Sequence, residues 1–269
     1  MIDLCTVVYE PELDLLRQQA RSIDLYCHDL GIDHIWIMVN DDAWVNRAWW
    51  GSMQDRVQIY HRSALGTDWH HNGWVSQQVL KMLGAGMSDN VWCMILDAKT
   101  LFVRPQTLDQ LLIDGRAATG SLAIYPVFEA SRLITNALFD IDLPQQLGPG
   151  GVPFLVEPQA VRDMMVWIYR ATGQSFADYF QQQGRLTEFV LYSGYIWRVD
   201  GSFDRRYHSQ CNLYPVNLCH SEVDRFSQKF KEMQNAQTST VSIHRHAWSQ
   251  LSAHQQQQYL DLLAQRGIV

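Results

Sequence analysis

The 269-residue sequence lacks any hydrophobic run long enough to cross a membrane, which requires ~18 residues; its apolar runs, such as residues 91–96, are far shorter. Its start also lacks the basic stretch followed by an apolar stretch that is typical of a secretory signal peptide. Its five cysteines form no CxxC pair, and Cys5 and Cys93 lie in apolar runs where buried free thiols are common. We therefore expect a reduced, cytoplasmic protein without an integral membrane segment.

An excess of positive charge is also missing. Lys and Arg number 21 and Asp and Glu number 28, so the formal net charge is −7. Proteins that hold nucleic acid or anionic membranes by bulk charge are typically basic, and we expect no nucleic-acid partner. The sequence is instead 47% hydrophobic and 12% aromatic, enough for a large buried core. Because neither a linker nor an internal repeat interrupts it, we expect one domain over residues 1–269.

Predicted strands and helices alternate in the first half of the chain. Apolar, β-branched runs predict strands at residues 2–8, 34–40, 57–60 and 91–96. Helices are predicted from Pro11 to Gly31 and over residues 74–83, where Gly84 would end the second. Polar residues follow these strands, so the pattern predicts an α/β fold with a mostly parallel sheet flanked by helices and a ligand at the carboxyl edge.

The second half is less regular. Residues 148–153 are rich in glycine and proline and predict a sharp turn. Helical periodicity covers residues 159–171 and 251–263, and a late strand is expected at 241–244. Residues 187–192 predict a helical turn that leads into a further strand at 195–199.

The segment VWCMILDAKTLFVRP, residues 91–105, carries the first chemical signal. Its apolar strand runs directly into Asp97, which places a carboxylate at a strand end that faces solvent. A carboxylate there can hold a divalent cation or a ribose hydroxyl. The alternative is an aspartate that only caps a turn.

This segment resembles the DxD region of GT-A glycosyltransferases, particularly bacterial and phage members with the pattern L-D-(A/S)-D-T-x-F-x-(R/K)-P. Three further blocks resemble the same family in the same order: GWVSQQVLK at 73–81, GGVPFLVEPQAV at 150–161 and LTEFVLYSGYI at 186–196. The resemblance implies a single, Rossmann-like GT-A domain. Residues 1–105 would form its nucleotide-binding half, and residues 106–269 its acceptor side and closing helix.

By this resemblance we expect a glycosyltransferase that moves a hexose from a nucleotide-diphospho-sugar, a UDP-sugar, to a hydroxyl acceptor. Inversion with a carboxylate base is the expected course. The alternative is a non-catalytic protein that binds nucleotide-sugars or glycans and has lost its metal site. A sugar-phosphate hydrolase is less favoured, since the sequence contains neither a G-x-S-x-G elbow nor a P-loop.

One position departs from the family pattern. After Asp97 and Ala98, Lys99 stands where the family has its second aspartate, which usually holds the Mn²⁺ or Mg²⁺ that bridges the diphosphate. Lys99 could pair with the diphosphate in place of the metal. Alternatively, Asp97 holds the metal with another ligand, for which His244 after the late strand is preferred, or the enzyme is degenerate. On a strand, His246 would share the face of His244, and Arg245 would point away; in a loop, the geometry is open. Both histidines could also be surface residues.

The resemblance implies a donor site in the first half of the chain. Val8 and Tyr9 end the first strand, where a nucleobase would bind and where the Tyr9 ring could stack on uracil. Asn40 and Asp41 could bond the base or ribose, and Arg62 could approach the diphosphate. The remaining donor-site candidates lie on the helix after residue 72: Trp74, Gln77, Gln78 and Lys81. Gln77 and Lys81 share a helix face and could meet sugar hydroxyls together.

On the acceptor side, Gly150 and Gly151 form the turn over which the acceptor would enter. Glu188 is the candidate base, because an inverting transferase needs a carboxylate to take the proton of the acceptor hydroxyl. A glutamate in a first helical turn also stabilises the helix, so a purely structural role is the alternative. In a retaining enzyme, Glu188 would instead orient the donor sugar or the acceptor.

Overall fold

The computed structural model describes residues 1–65, 73–118 and 120–269. Its strands are β1 (Ile2–Val8), β2 (Ile32–Val39), β3 (Val57–His61), β4 (Cys93–Asp97), β5 (Leu101–Phe102), β6 (Leu112–Ile113), β7 (Arg116–Ala117), β8 (Leu122–Ala123), β9 (Gln146–Leu147), β10 (Phe154–Val156), β11 (Pro215–Leu218) and β12 (Thr240–Ile243). Its helices are α1 (Leu13–Tyr26), α2 (Gly73–Gly86), α3 (Leu108–Leu111), α4 (Glu129–Phe139), α5 (Pro158–Thr172), α6 (Phe176–Gln183), α7 (Glu188–Asp200), α8 (Phe226–Gln234), α9 (Arg245–Trp248) and α10 (Ala253–Gln265). Within the described ranges, no helix combines the length and the apolar character needed to span a membrane.

Five strands form the central sheet in the order β10-β4-β1-β2-β3. β1 to β4 run parallel, and β10 pairs antiparallel with β4. A smaller sheet has the order β11-β12-β5, in which β11 and β12 are parallel and β5 is antiparallel to β12. The prediction of a mixed, mostly parallel sheet is therefore confirmed.

Helices α1 and α2 pack on opposite faces of the central sheet. Thr6 Oγ1 in β1 donates a hydrogen bond of 2.9 Å to Gln19 Oε1 in α1. The neighbouring residue, Cys5, contacts α2 at Gly84. Because neighbouring strand residues point to opposite faces, α1 and α2 cover the two faces of the sheet. The result is a single compact α/β domain.

Gly84 lies inside α2, and the prediction that it ends this helix is wrong. A Cβ atom at Gly84 would lie 2.6 Å from Cys5 Sγ and 2.8 Å from Met38 Cγ. Such distances are too short for real contacts, so only glycine lets α2 pack this closely on β1 and β2. The glycine serves close packing, and the helix continues to Gly86.

Residues 188–200 form one helix, α7, so the predicted strand at 195–199 is wrong. A short apolar run is compatible with either a buried strand or a buried helix. Here α7 packs on α4, and a Cβ atom at Gly194 would lie only 2.1 Å from Thr135 Cγ2. Packing between helices, which no local pattern records, decides the structure of this segment.

The smaller sheet brings the late strand to the carboxyl edge of the central sheet. β5 begins four residues after Asp97 and pairs antiparallel with β12, with Leu101 opposite Val241. Residues that follow Val241 therefore run back toward the end of β4. This places His244, directly after β12, on the same side of the molecule as Asp97.

Candidate functional site

The ends of the parallel strands bring together three of the predicted site residues. Val7 in β1 lies opposite Asp97 in β4, and the backbone N of Asn40 donates to Val8 O at 2.8 Å. Tyr9 follows Val8 directly. Tyr9, Asn40 and Asp97 therefore adjoin the same edge of the sheet, as expected from parallel strands.

A cleft of about 420 Å³ opens at this edge; we call it the donor cleft. Six predicted residues line it: Tyr9, Asn40, Trp74, Gln77, Lys99 and His244. The cleft is also lined by one acidic and two basic residues, Glu12, Arg245 and His246. Aromatic, amide and basic groups thus face a common space.

Other predicted donor-site residues support the strand ends. The side chains of Val8 and Ala98 are buried in the core. Asp41 accepts hydrogen bonds from the backbone N atoms of Glu10 and Ala43, at 2.8 and 3.0 Å, and so holds the turns after β1 and β2. Arg62 begins a single 3-10 turn, Arg62–Leu65, directly before the gap in the described residues.

The predicted glycine turn lies between β9 and β10. Gly150 is buried and Gly151 is exposed, and a Cβ atom at Gly151 would meet Leu122 at an ordinary 3.9 Å. The next residue, Val152, lines a recess of about 160 Å³ together with Asp97. The turn therefore reaches the Asp97 end of the site.

Four charged side chains form a connected group, which we call the charge quartet: Lys81, Asp97, Lys99 and Glu188. Lys81 Nζ lies 2.7 Å from Asp97 Oδ1 and 3.1 Å from Glu188 Oε1, and Lys99 Nζ lies 2.6 Å from Asp97 Oδ2. The side chains of Lys81 and Glu188 are 4% and 2% exposed. Gln77 and Lys81 were predicted to meet the donor sugar together. In the structure, Gln77 lines the donor cleft, whereas Lys81 is buried between two carboxylates.

The quartet is fixed from α2 and α7 as well as from β4. The backbone N of Glu188, in the first turn of α7, donates to Gln78 Oε1 at 3.2 Å. Burial raises the pKa of Asp97, but Lys81 and Lys99 outweigh it and hold that pKa well below the usual carboxyl range. Burial lowers the pKa of Lys81, but Asp97 and Glu188 raise it above its ordinary value. Asp97 and Lys81 therefore both stay charged near neutral pH.

Arg245 lies in the donor cleft with both histidines, so the arrangement expected on a strand does not apply here. Strand β12 ends at Ile243, and residues 245–248 form the single helical turn α9. Strand alternation therefore stops before Arg245. Its guanidinium lies 5.7 Å from the centre of the Tyr9 ring and donates a hydrogen bond to Tyr9 Oη.

His244 caps α9. Its Nδ1 accepts a hydrogen bond of 3.2 Å from the backbone N of His246, and its ring centre lies 5.3 Å from the ring of His246. Burial lowers the pKa of His244, and Lys99, His246 and His220 lower it further. The ring is therefore neutral at pH 7, and because Nδ1 accepts, Nε2 carries the proton that can be donated.

Glu12 is a cleft residue that sequence reasoning missed. It ends the 3-10 turn Glu10–Glu12, which follows β1. Burial raises its pKa, and the nearby Lys99 lowers it. The only signal in the sequence is its position shortly after a predicted strand, which many structural turn residues share.

The groups at Asp97 do not suit a divalent cation. Both oxygens of Asp97 already contact ammonium groups, so a metal ion there would lie beside two positive charges. Asp97 and His244 do line the same recess. Within the described ranges, however, the one group of three His, Cys, Asp or Glu close enough to share an ion is Asp3, Asp33 and His34, at the opposite end of the sheet. There the buried Asp3 carboxylate already accepts three hydrogen bonds.

A protein-family profile, described as a family of unknown function (DUF6492), matches residues 11–248. The chain belongs to the DUF6492 family. Among curated proteins, no sequence relative matches it.

Solved structures share the fold of this DUF6492 chain. The galactosyltransferase LgtC, in complex with donor and acceptor sugar analogues, has a TM-score of 0.52 at 10% identity, over 99% of this chain and 100% of LgtC. The bifunctional glycosyltransferase WbbM has a TM-score of 0.50 at 12% identity, over 98% of this chain and 49% of WbbM. At this identity the likeness shows the fold, and it confirms the expected GT-A architecture.

Proposed function

We propose that the protein is a glycosyltransferase that moves a hexose from a nucleotide-diphospho-sugar, preferably a UDP-hexose, to a hydroxyl acceptor. The observation that carries this proposal is the composition of the donor cleft on a GT-A fold. Tyr9 and Asn40 supply an aromatic ring and an amide, and Lys99, Arg245 and two histidines supply basic groups. LgtC and WbbM, which share the fold, are glycosyltransferases.

The amide of Asn40 favours a base with an N–H on its pairing edge. Asn40 Nδ2 donates to Gly73 O at 3.4 Å, which orients the amide. Its Oδ1 is buried and has no hydrogen-bond partner among the described residues. An unpartnered buried acceptor costs free energy, and the imide N–H of uracil would satisfy it. In cytosine the same ring position, N3, is an acceptor, and the N–H groups of the pairing edge belong to the exocyclic amine, so we expect UDP-sugars to bind better than CDP-sugars.

The nucleotide is tested by thermal unfolding and by release of nucleoside diphosphate, with a panel of UDP-, CDP-, GDP- and ADP-sugars. At a ligand concentration 100 times Kd, binding adds about 2.7 kcal/mol, which raises the Tm by roughly 5–10 °C. We expect this shift with a UDP-hexose, followed by slow release of UDP. A shift without release, even with glycan acceptors present, would identify the alternative, a binding protein. No shift with any nucleotide-sugar would contradict the proposal.

Arg245→Ala should weaken UDP binding about 10- to 100-fold, because it removes one charge-assisted hydrogen bond to the diphosphate. Arg245 is exposed, so the Tm should stay nearly unchanged. Titration calorimetry with UDP and with uridine checks the assignment, since uridine lacks the diphosphate and should bind both proteins equally. Arg170→Ala, an exposed arginine on α5, is the matched control. Equal UDP affinity in the Arg245 variant would remove this residue from the site.

A further inference from the structure

The charge quartet is electrically balanced without any metal ion. Its two lysines and two carboxylates cancel, and Lys81 and Lys99 between them contact both oxygens of Asp97. A divalent cation binds where negative charge and oxygen lone pairs are in excess. Neither is in excess at Asp97.

A single substitution separates this arrangement from a cation site. With aspartate at position 99, as in the resembling family pattern, the same four positions would carry a net charge of −2. That charge matches one divalent cation. Lys99 therefore removes the excess of negative charge that a divalent cation would need at this strand end.

Lys99 is also placed to meet an anion. Its side chain is 23% exposed, against 4% for Lys81, and it lines both the donor cleft and the recess that contains Asp97. An ammonium has three N–H donors, and Asp97 takes one. Asp97 thus fixes the ammonium in position and leaves it able to donate to phosphate oxygens.

The donor cleft contains further N–H donors besides Lys99. His244, Arg245 and His246 line the same cleft as Lys99. His244 presents a neutral ring whose Nε2 carries the proton, and Arg245 presents a permanently charged guanidinium. An anion in the cleft can therefore be bound by these side chains as well as by Lys99.

We propose, on the basis of the proposed function, that the Lys99 ammonium replaces the divalent cation on the donor diphosphate, with Asp97 as its positioning residue. Transfer is then independent of metal ions. In the transfer step, the bond between the anomeric carbon and the β-phosphate oxygen breaks, and its electron pair stays on that oxygen. The acceptor oxygen forms the new bond to the anomeric carbon and loses its proton to a base. Lys99 stabilises the charge that develops on the diphosphate.

The first experiment measures UDP affinity by calorimetry, on protein stripped with EDTA and on the same protein with Mn²⁺ or Mg²⁺. We expect Kd values that agree within about twofold, and UDP-sugar turnover that survives EDTA. Binding or turnover that needs a divalent cation would overturn this inference and leave the glycosyltransferase proposal standing. Failure of UDP and of every nucleotide-sugar to bind in either condition would overturn both.

The second experiment compares three variants at position 99. Lys99→Met should lose about 10- to 100-fold in UDP affinity in EDTA, with uridine binding unchanged, while Lys99→Arg should retain most of it. Lys99→Asp should bind UDP poorly in EDTA and regain at least tenfold with Mn²⁺. Thermal unfolding checks that each variant folds. If Lys99→Met and Lys99→Asp do not fold, the test relies on Lys99→Arg, which keeps the positive charge. Unchanged UDP affinity in Lys99→Met, or greatly weakened affinity in a folded Lys99→Arg, would contradict the proposal.

Discussion

Replacing Lys81 with methionine should lower the free energy of unfolding by about 3–5 kcal/mol, the usual loss when one partner of a buried ion pair is removed. Lys81 contacts both Asp97 and Glu188, and Glu188 is 2% exposed. Without Lys81, the buried carboxylate of Glu188 loses its ammonium partner, and only Lys99 remains on Asp97. Urea unfolding at neutral pH, monitored by tryptophan fluorescence, measures the change.

Two further variants show whether charge or packing causes the loss. Lys231→Met, at an exposed lysine on α8, should change the free energy of unfolding by less than about 0.5 kcal/mol. The double variant Lys81→Met/Glu188→Gln should recover at least about 1 kcal/mol relative to Lys81→Met alone, since the buried charge is gone. A loss below about 1 kcal/mol for Lys81→Met would mean that the quartet adds little to stability.

Strands β1 and β4 of the central sheet were predictable because each is largely apolar and buried. β1 has the predicted bounds, since all of residues 2–8 are buried and five of the seven are apolar. The same reasoning failed at residues 195–199, where the apolar run belongs to helix α7. Burial alone makes a segment apolar, and a strand and a buried helix share that property. The neighbour that decides this segment, α4, was not predicted at all.

Some features of the candidate site could likewise be predicted from the sequence, and others could not. Residues that directly follow a parallel strand, such as Tyr9 and Asn40, were predictable because parallel strands end at one edge. The bond between Lys81 and Glu188 joins residues 107 positions apart, and no local spacing indicates such a contact. The position of Arg245 depends on where β12 ends, at Ile243, and the sequence pattern left the geometry after the strand open. The charge balance of the site therefore became visible only in three dimensions.

Glu188→Gln should lower the rate of transfer about 10²- to 10⁴-fold, the usual contribution of a general base, and leave UDP affinity within about threefold. This prediction rests on the proposal that Glu188 takes the proton of the acceptor hydroxyl. Lys81 contacts its Oε1, while its Oε2 is buried without a hydrogen-bond partner among the described residues. Oε2 is thus the oxygen with capacity to accept a proton. Single-turnover transfer, with Kd for UDP measured separately, gives both quantities.

The competing role for Glu188 is to position Lys81, and the two roles differ in what the variant changes. Loss of a base lowers the rate of transfer and leaves stability and UDP affinity nearly unchanged, and such a base is needed only in an inverting reaction. Loss of a positioning residue lowers stability and UDP affinity together with the rate. Glu157→Gln is the control, because Glu157 is likewise paired with a basic side chain, that of Arg206, and lies outside the charge quartet. Nuclear magnetic resonance of the product then gives the anomeric configuration. Retention of configuration, or normal transfer by Glu188→Gln, would exclude Glu188 as the base and leave it as the residue that holds Lys81 beside Asp97.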